Sequence, residues 1–460
     1  MSSEAVEQSL NKISEIDKAG YQLNSVLAIS ENLNFNEVSG PLAGVPILIK
    51  DNIEALGLPA TAGSLALSNT PVVRDSTIAK RLRAAGATII GATNLSEWAN
   101  IRSGKSTSGW SAVGGLTANP WKHAHSAGGS SSGSGAAVGA GIVSMAVGSE
   151  TDGSIVCPAS LNGCVGIKPT VGSIPRDAMI PISASQDTPG PMAQTVEQAA
   201  LLLDVLTGEN KYRSAINSDS ELRIGVVKEW VTQDPGTNQL FQGLLSKIGK
   251  IATIKEISLP EPSEDEGESE FKVLLQELNE DLASYLQSRP GTKVKTLKHV
   301  IDFNNANSDL ELQHFGQEYF DLALTLGGRN DEYQKLRARN LDWAANKVLN
   351  PGFANFDILI GETLNPGFAN FDILIGETYA PAWKSNLGGG DDFGSASWIS
   401  MAPAIAGTPI GALPMGLVNG LPVGVGVVAR ANQEDRLVRA MALIERTLGL
   451  GVMVPTFTKS

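Results

Sequence analysis

The sequence predicts an α/β fold, and three observations carry the prediction. Strand-like and helix-like segments alternate early in the chain, from Val45–Ile49 through Asp75–Ala85 to Ala87–Ile90. The composition holds 49 glycines among 460 residues with only 5% aromatics, which suits a chain of many tight turns around an ordinary apolar core. Towards the C-terminus, proline and glycine turns alternate with apolar strands such as Val423–Val428, before a closing amphipathic helix over Glu434–Leu448.

Taken in order, residues 4–30 carry apolar positions at helical spacing and are expected to form one or two surface helices. Val45–Ile49 is a short apolar run behind a Gly-Pro turn and reads as a buried strand. Asp75–Ala85 is amphipathic and stops at Gly86, a helix with a C-terminal signal. The β-branched run within Ala87–Ile90 is the next strand. Ala136–Val147 is small and apolar throughout and reads as one tightly packed buried helix. Ile224–Val227 is a further buried strand. Pro260–Glu270 is acidic and contains two prolines, so an exposed loop is expected there. Residues 271–350 read as mainly helical.

Leu349-Asn-Pro-Gly-Phe-Ala-Asn-Phe-Asp-Ile-Leu-Ile-Gly-Glu-Thr363 recurs unchanged at Leu364–Thr378. Two copies are too few for a stacked repeat architecture. Each contains Asp-Ile-Leu-Ile, a buried-strand pattern. One copy is expected to occupy a strand and the other to be extruded as a loop. The second copy, which runs on into Tyr379-Ala-Pro-Ala-Trp383, is the candidate for the strand.

Composition also excludes function classes. A net charge of −13 argues against nucleic acid and against an anionic membrane surface, since both need clustered lysine and arginine. No window of 18 or more apolar residues suggests a membrane span. The N-terminal Met1-Ser-Ser-Glu-Ala-Val-Glu-Gln lacks the basic and apolar regions of a signal peptide, so a cytoplasmic location is expected. Cys157 and Cys164 fit no common zinc spacing and read as small buried hydrophobes. His123 and His125 suggest no third ligand and read as loop residues.

The chemistry concentrates in three places. Gly128-Gly-Ser-Ser-Ser-Gly-Ser-Gly135 is a run in which glycines beside hydroxyls let backbone N–H groups converge on a ligand or a developing oxyanion. Ser154 follows within Glu150-Thr-Asp-Gly-Ser-Ile. Lys50 precedes both, at the end of the apolar Gly44-Val-Pro-Ile-Leu-Ile. A serine hydroxyl attacks only once a base takes its proton, and a lysine buried against an apolar wall becomes such a base as its pKa falls. A second serine can relay the proton. Gly129-Ser-Ser-Ser-Gly133 also fits a G-x-S-x-G elbow, but the preceding Asn119-Pro-Trp-Lys-His-Ala-His lacks the strand that motif needs. A flexible linker is the other reading of a Gly/Ser run, and the buried segment directly behind this one opposes it.

These neighbourhoods resemble the amidase signature family. Gly44–Asn52 resembles its lysine motif, Gly128–Ser134 its Gly/Ser signature and Ser149–Ile155 its nucleophile motif. Gly163–Thr170, Asp187–Met192 and Gly420–Gly424 match further blocks, and together the resemblance spans roughly residues 10–450. It implies one domain over residues 1–460 with a signature core at about 40–205, built on a central mixed sheet covered by helices on both faces. It implies an amidase that cleaves a carboxamide C–N bond through an acyl-enzyme, releasing ammonia or an amine, without metal or organic cofactor. Carried over by position, Ser154 is the nucleophile, Ser130 the bridging serine in a cis peptide, and Lys50 the base. Ser131 supports them, and the backbone N–H groups of Thr151, Asp152, Gly153 and Ser154 form the oxyanion hole. Many members have Gly-Gly-Ser-Ile-Arg where this chain has Asp152-Gly-Ser-Ile-Val156. That wording resembles the bacterial peptide-amidase branch more than the glutaminase subunits of tRNA-dependent amidotransferases, which act in a complex and are the alternative. The expected partner is a small-molecule or peptide amide.

Overall fold

A computed structural model describes residues 2–31, 33, 39–218, 221–354 and 371–457. An 11-stranded mixed sheet runs through the molecule. Its strands, numbered along the chain, are β1 (Val26–Ile29), β2 (Pro46–Lys50), β3 (Thr88–Thr93), β4 (Met145–Glu150), β5 (Val165–Lys168) and β6 (Thr188–Ala193). They continue with β7 (Arg223–Val227), β8 (Thr253–Ile257), β9 (Ile373–Glu377), β10 (Ile410–Val418) and β11 (Leu421–Val428). Side by side they lie in the order β1-β3-β2-β4-β6-β5-β10-β11-β9-β7-β8. β2 runs parallel to both β3 and β4, so the carboxyl ends of these three strands open on one edge.

Side chains alternate across a strand, and here the alternation divides the core into two layers. Ile47 and Ile49 of β2 point into one layer with Ile78 and Leu82 of the helix Thr77–Ala84 and with the inner face of Glu434–Leu448. Leu48, between them, points into the other with Ala136 and Ala137 of the helix Ser132–Gly139 and with the helix Val156–Asn162. Truncating a buried leucine such as Leu48 to alanine costs about 2–5 kcal/mol. A third cluster joins the helices Glu264–Ser288, Leu297–Ala306 and Glu318–Leu326 to Leu67 and Trp98. The single α/β domain, the mixed sheet and its helical covering are as the sequence predicts.

Three expectations are corrected. The N-terminal helix Ser2–Lys12, continued through Ile13–Lys18, is present, but the same stretch ends in the edge strand β1, antiparallel to β3. The open edge of β3 decides this, since strand preference is set by the neighbouring strand more than by local spacing. Ala136–Val147 is not one helix. The helix Ser132–Gly139 ends before Gly141, whose φ of +68° is left-handed, and Met145 opens the central strand β4. Pro260–Glu270 is not a loop throughout, because the long helix Glu264–Ser288 begins inside it. Ser263 and Glu266 form its capping box, with the Ser263 N–H donating to the Glu266 carboxylate at 3.0 Å. Glu264, Asp265 and Glu266 thus line the first turn, where negative charge meets the positive end of the helix dipole.

The second copy supplies the strand as expected, but the first copy contributes as well. The head of the first copy forms the short helix Asn350–Ala354, and the tail of the second forms β9 between β11 and β7. The Asp357–Ile360 stretch of the first copy, expected to be extruded, lies outside the described residues. Phe371 N–H donates to Phe353 O at 2.9 Å, and Arg430 donates to both carbonyls, at 2.8 Å to Phe371 O and 3.1 Å to Phe353 O. Together with Asn370 of the sequence, head and tail add up to one complete copy. Deleting residues 355–369 joins them as Phe353-Ala354-Asn370-Phe371, and the existing hydrogen bond becomes the i to i+3 bond of a β-turn. The deletion variant is expected to keep its activity and to gain about 1–2 kcal/mol from the shorter chain closure between Ala354 and Phe371. Chemical denaturation checks this, and a loss of several kcal/mol would show that residues 355–369 contribute to the fold.

Candidate active site

Lys50 ends β2; the parallel β3 ends beside it, with Thr93 in register with Lys50, and the parallel β4, with Val147 in register with Ile49, runs on to Glu150. Ligand sites in α/β sheets lie at such carboxyl ends. The Lys50 side chain is fully buried. Its Nζ donates to Ser130 Oγ at 2.7 Å, and to Ser149 O and Ser149 Oγ at 3.1 Å each. Loss of hydration lowers its pKa from the ordinary 10.5 to about 7, against the opposing pull of the Asp187 and Glu150 carboxylates.

Ser130 sits in the Gly128–Gly135 run, and the Gly129–Ser130 peptide is cis. Packing around this peptide is close. A Cβ on Gly129 would stand 2.3 Å from Ser96 Oγ and 2.6 Å from Ser108 Oγ, so glycine is required by space. Ser131 Oγ donates to Ser149 O at 2.9 Å and accepts from Ser149 N–H at 3.1 Å, which locks the run onto β4.

Ser154 follows β4 in a turn wrapped around Glu150. The Glu150 carboxylate accepts from the N–H groups of Ile155 at 2.6 Å and Val156 at 2.9 Å, and Gly153 N–H also bears on it. Gly153 holds a φ of +74°, the left-handed geometry this turn needs. Burial pushes the Glu150 and Asp152 carboxyls up, and the buried Lys168 opposes the rise in both. Thr151 Oγ1 donates to Asp187 Oδ1 at 2.6 Å, while Asp187 Oδ2 accepts from Ile182 and Ser183 N–H.

The predicted residues meet in part through side chains and in part through backbone. Lys50 and Ser130 touch directly. Ser131 N–H donates to Ser154 O at 3.1 Å, so Ser154 lies against the same run. No hydrogen bond joins Ser130 Oγ to Ser154 Oγ among the described residues. Ser130 is 1% exposed and Ser154 8%, so Ser154 is the hydroxyl nearer to solvent.

Sequence reasoning assigned no role to Ser149, which bridges Lys50 and Ser131, or to Asn52, which donates to Ser149 Oγ at 2.9 Å. Both stand within quoted motifs, and their polarity inside apolar strand ends was the available signal. Tyr379 and Ser400 also face the site: a Cβ on Gly153 would lie 2.8 Å from the Tyr379 hydroxyl and 3.6 Å from Ser400 Oγ. Nothing local in the sequence marks them.

A buried lysine bonded to a serine thus stands at the carboxyl ends of a mixed α/β sheet, and the comparisons give the class of protein. The chain belongs to the Amidase family, whose profile matches residues 3–438, and it is a hydrolase of amide C–N bonds. The native peptide amidase of Stenotrophomonas maltophilia superposes with a TM-score of 0.89 at 34% identity, covering 99% of this chain and 95% of that one. An amidase family protein of Bacillus anthracis superposes at 0.83 with 26% identity over 99% of this chain and 89% of that one. A glutamyl-tRNA(Gln) amidotransferase subunit of Methanococcoides burtonii is 31% identical over 94% of this chain and 91% of its own length. Among the described residues no helix is long and apolar enough to cross a membrane.

Proposed function

We propose that this amidase hydrolyses a carboxamide on a small molecule or peptide through Ser154, Ser130 and Lys50. The observation that carries the reading is the fully buried Lys50 Nζ, 2.7 Å from Ser130 Oγ, with its pKa drawn down to about 7. A neutral amine at this position is a base in the neutral range. Ser154 Oγ attacks the carbonyl carbon while its proton passes to Ser130 Oγ, and the Ser130 proton passes to Lys50. The C–N bond then breaks as the proton returns along the same path to the departing nitrogen. Water, deprotonated by the same relay, frees the acid from the Ser154 ester. Catalytic hydrogen bonds in a free enzyme are commonly long and tighten with substrate, which accommodates the open Ser130–Ser154 step.

The oxyanion is assigned to the N–H groups of Thr151, Asp152, Gly153 and Ser154, with Gly153 shared with the Glu150 carboxylate. Ser131 holds Ser149, and Ser149 holds the lysine. The enzyme is read as cytoplasmic, with a peptide amide as the substrate suggested by the peptide-amidase neighbour. A second reading, in which the chain works within an amidotransferase complex, draws on the 31% identity to a component of one. Ammonia release from simple amides by the purified chain alone supports the first reading. Release only in the presence of a partner protein would replace it with the second.

A further inference from the structure

Among the described residues, the hydrogen bonds of the Lys50 amine all end on two serines. Nζ lies 2.7 Å from Ser130 Oγ and 3.1 Å from both Ser149 O and Ser149 Oγ. An unprotonated amine has two N–H groups and one lone pair. For Lys50 to take a proton from Ser130, its lone pair must face Ser130 Oγ, and its two N–H groups need acceptors elsewhere. Ser149 O is one of these, since a carbonyl only accepts. Ser149 Oγ is then the other, and its position decides where the lone pair points.

Asn52 stands behind that hydroxyl, with Nδ2 donating to Ser149 Oγ at 2.9 Å. The residue is 4% exposed, and its Oδ1 makes no hydrogen bond among the described residues. A buried amide with an unpartnered acceptor is costly, so packing alone does not favour asparagine here. What the side chain supplies is an N–H aimed at Ser149 Oγ. It supplies it without charge. The 2.9 Å and 3.1 Å contacts meet on the same oxygen, so the Asn52 amide nitrogen stands within about 6 Å of Nζ. Over such a distance an opposite charge moves a pKa by about 1–3 units. The charged groups that already bear on the amine are the Asp187 and Glu150 carboxylates, which oppose its neutralisation. Asp51, next in the chain, turns its carboxylate to Thr61, whose N–H donates to it at 2.9 Å. A further carboxylate at position 52 would favour the protonated amine.

We propose that Asn52 is a positioning residue for the base: it holds the Ser149 hydroxyl where that group accepts from Lys50, and it brings no charge to the amine. The proposal rests on Lys50 acting as the base, as set out above. Asn52→Asp keeps the size of the side chain and a partner for the hydroxyl but adds the charge. In ammonia release from N-acetyl-alaninamide, the rise of kcat/KM with pH is expected to move upwards by at least about one unit, with activity at alkaline pH recovering to within about threefold of wild type. A merely structural lesion would lower activity at every pH and leave the rise in place. Asn52→Leu removes the N–H without adding charge, and is expected to lower kcat about tenfold with KM unchanged and no upward shift of the rise.

A second readout needs no substrate. The stability difference between the Asn52→Asp variant and the same variant carrying Lys50→Met should begin to grow at least about one pH unit higher than the corresponding difference in the wild-type background, because the folded pKa of Lys50 is raised. If this onset moves while the activity profile does not, Asn52 keeps its role and Lys50 loses that of base. An unmoved onset in the folded variant overturns the proposal, and so does a wild-type kcat in folded Asn52→Leu.

Discussion

Replacing Ser154 with alanine is expected to abolish amide hydrolysis and leave the fold intact. The side chain makes no hydrogen bond among the described residues, and the turn around it is held by the Glu150 carboxylate and the Gly153 backbone. Substitutions away from such structural contacts usually shift stability by less than about 0.5 kcal/mol. In the proposed mechanism, by contrast, the acyl ester forms on Ser154 Oγ alone. A lost nucleophile in a comparable serine hydrolase costs on the order of 10⁶ in kcat. Rates of ammonia release, with thermal unfolding as the control, check both halves. More than a few percent residual activity would remove Ser154 from the role of nucleophile. Mass spectrometry of the wild-type chain quenched during turnover should show an acyl adduct on Ser154.

Lys50→Met is expected to be near-inactive, and its stability should differ from wild type in a pH-dependent way. The folded pKa of Lys50 is lowered from 10.5 to about 7 by burial, so between these values the unfolded chain binds a proton that the folded chain does not. Stability then rises with pH, by about 1.4 kcal/mol per pH unit for one proton. Methionine does not titrate and lacks this rise. The stability difference between wild type and Lys50→Met should therefore shift towards wild type from about pH 7 upwards. Below pH 7 both states of the wild type are protonated, and the difference should be flat. Only Ser130 Oγ loses its donor, since Ser149 O keeps Ser131 Oγ and Ser149 Oγ keeps Asn52. Wild-type activity should also rise with pH through about 7. A flat activity profile across that range, or a flat stability difference up to pH 10, would contradict a neutralised lysine base.

Much of the architecture was legible because it rests on local rules. Val45–Ile49 and Ala87–Ile90 read as strands and lie in β2 and β3, apart from one residue at the start of each run. The amphipathic helix over Glu434–Leu448 appears with the predicted bounds. The helix start at Ser263 was equally local. Its capping box, Ser263 and Glu266, is written in the chain, but the acidic composition and two prolines around it equally fit a solvated loop. The split of Ala136–Val147 into helix and strand was not legible, since alanine, glycine and valine fit either structure when fully buried. Sheet pairing with β2 and β6 made the choice. For the repeat, the run-on into Tyr379–Trp383 marked the second copy as the strand, but the packing of the first copy's head beside it was hidden, because the two heads are identical.

For the site, the sequence alone determined which residue types stand where: a lysine ending an apolar run, glycines among hydroxyls, and a serine in an acidic turn. Short-range chemistry and motif order are properties of the linear chain. Only the tertiary structure decided that Lys50 Nζ reaches Ser130 Oγ, that Ser149 joins the lysine to the Gly/Ser run, and that Tyr379 closes over Gly153. It also decided that burial draws the lysine's pKa down from 10.5 to about 7. A pKa depends on the water and charges excluded or admitted around a group, and here these come from segments far from Lys50 in the chain. Solvation and distance are set by packing, so they become visible only after the sheet and its helices close around the amine.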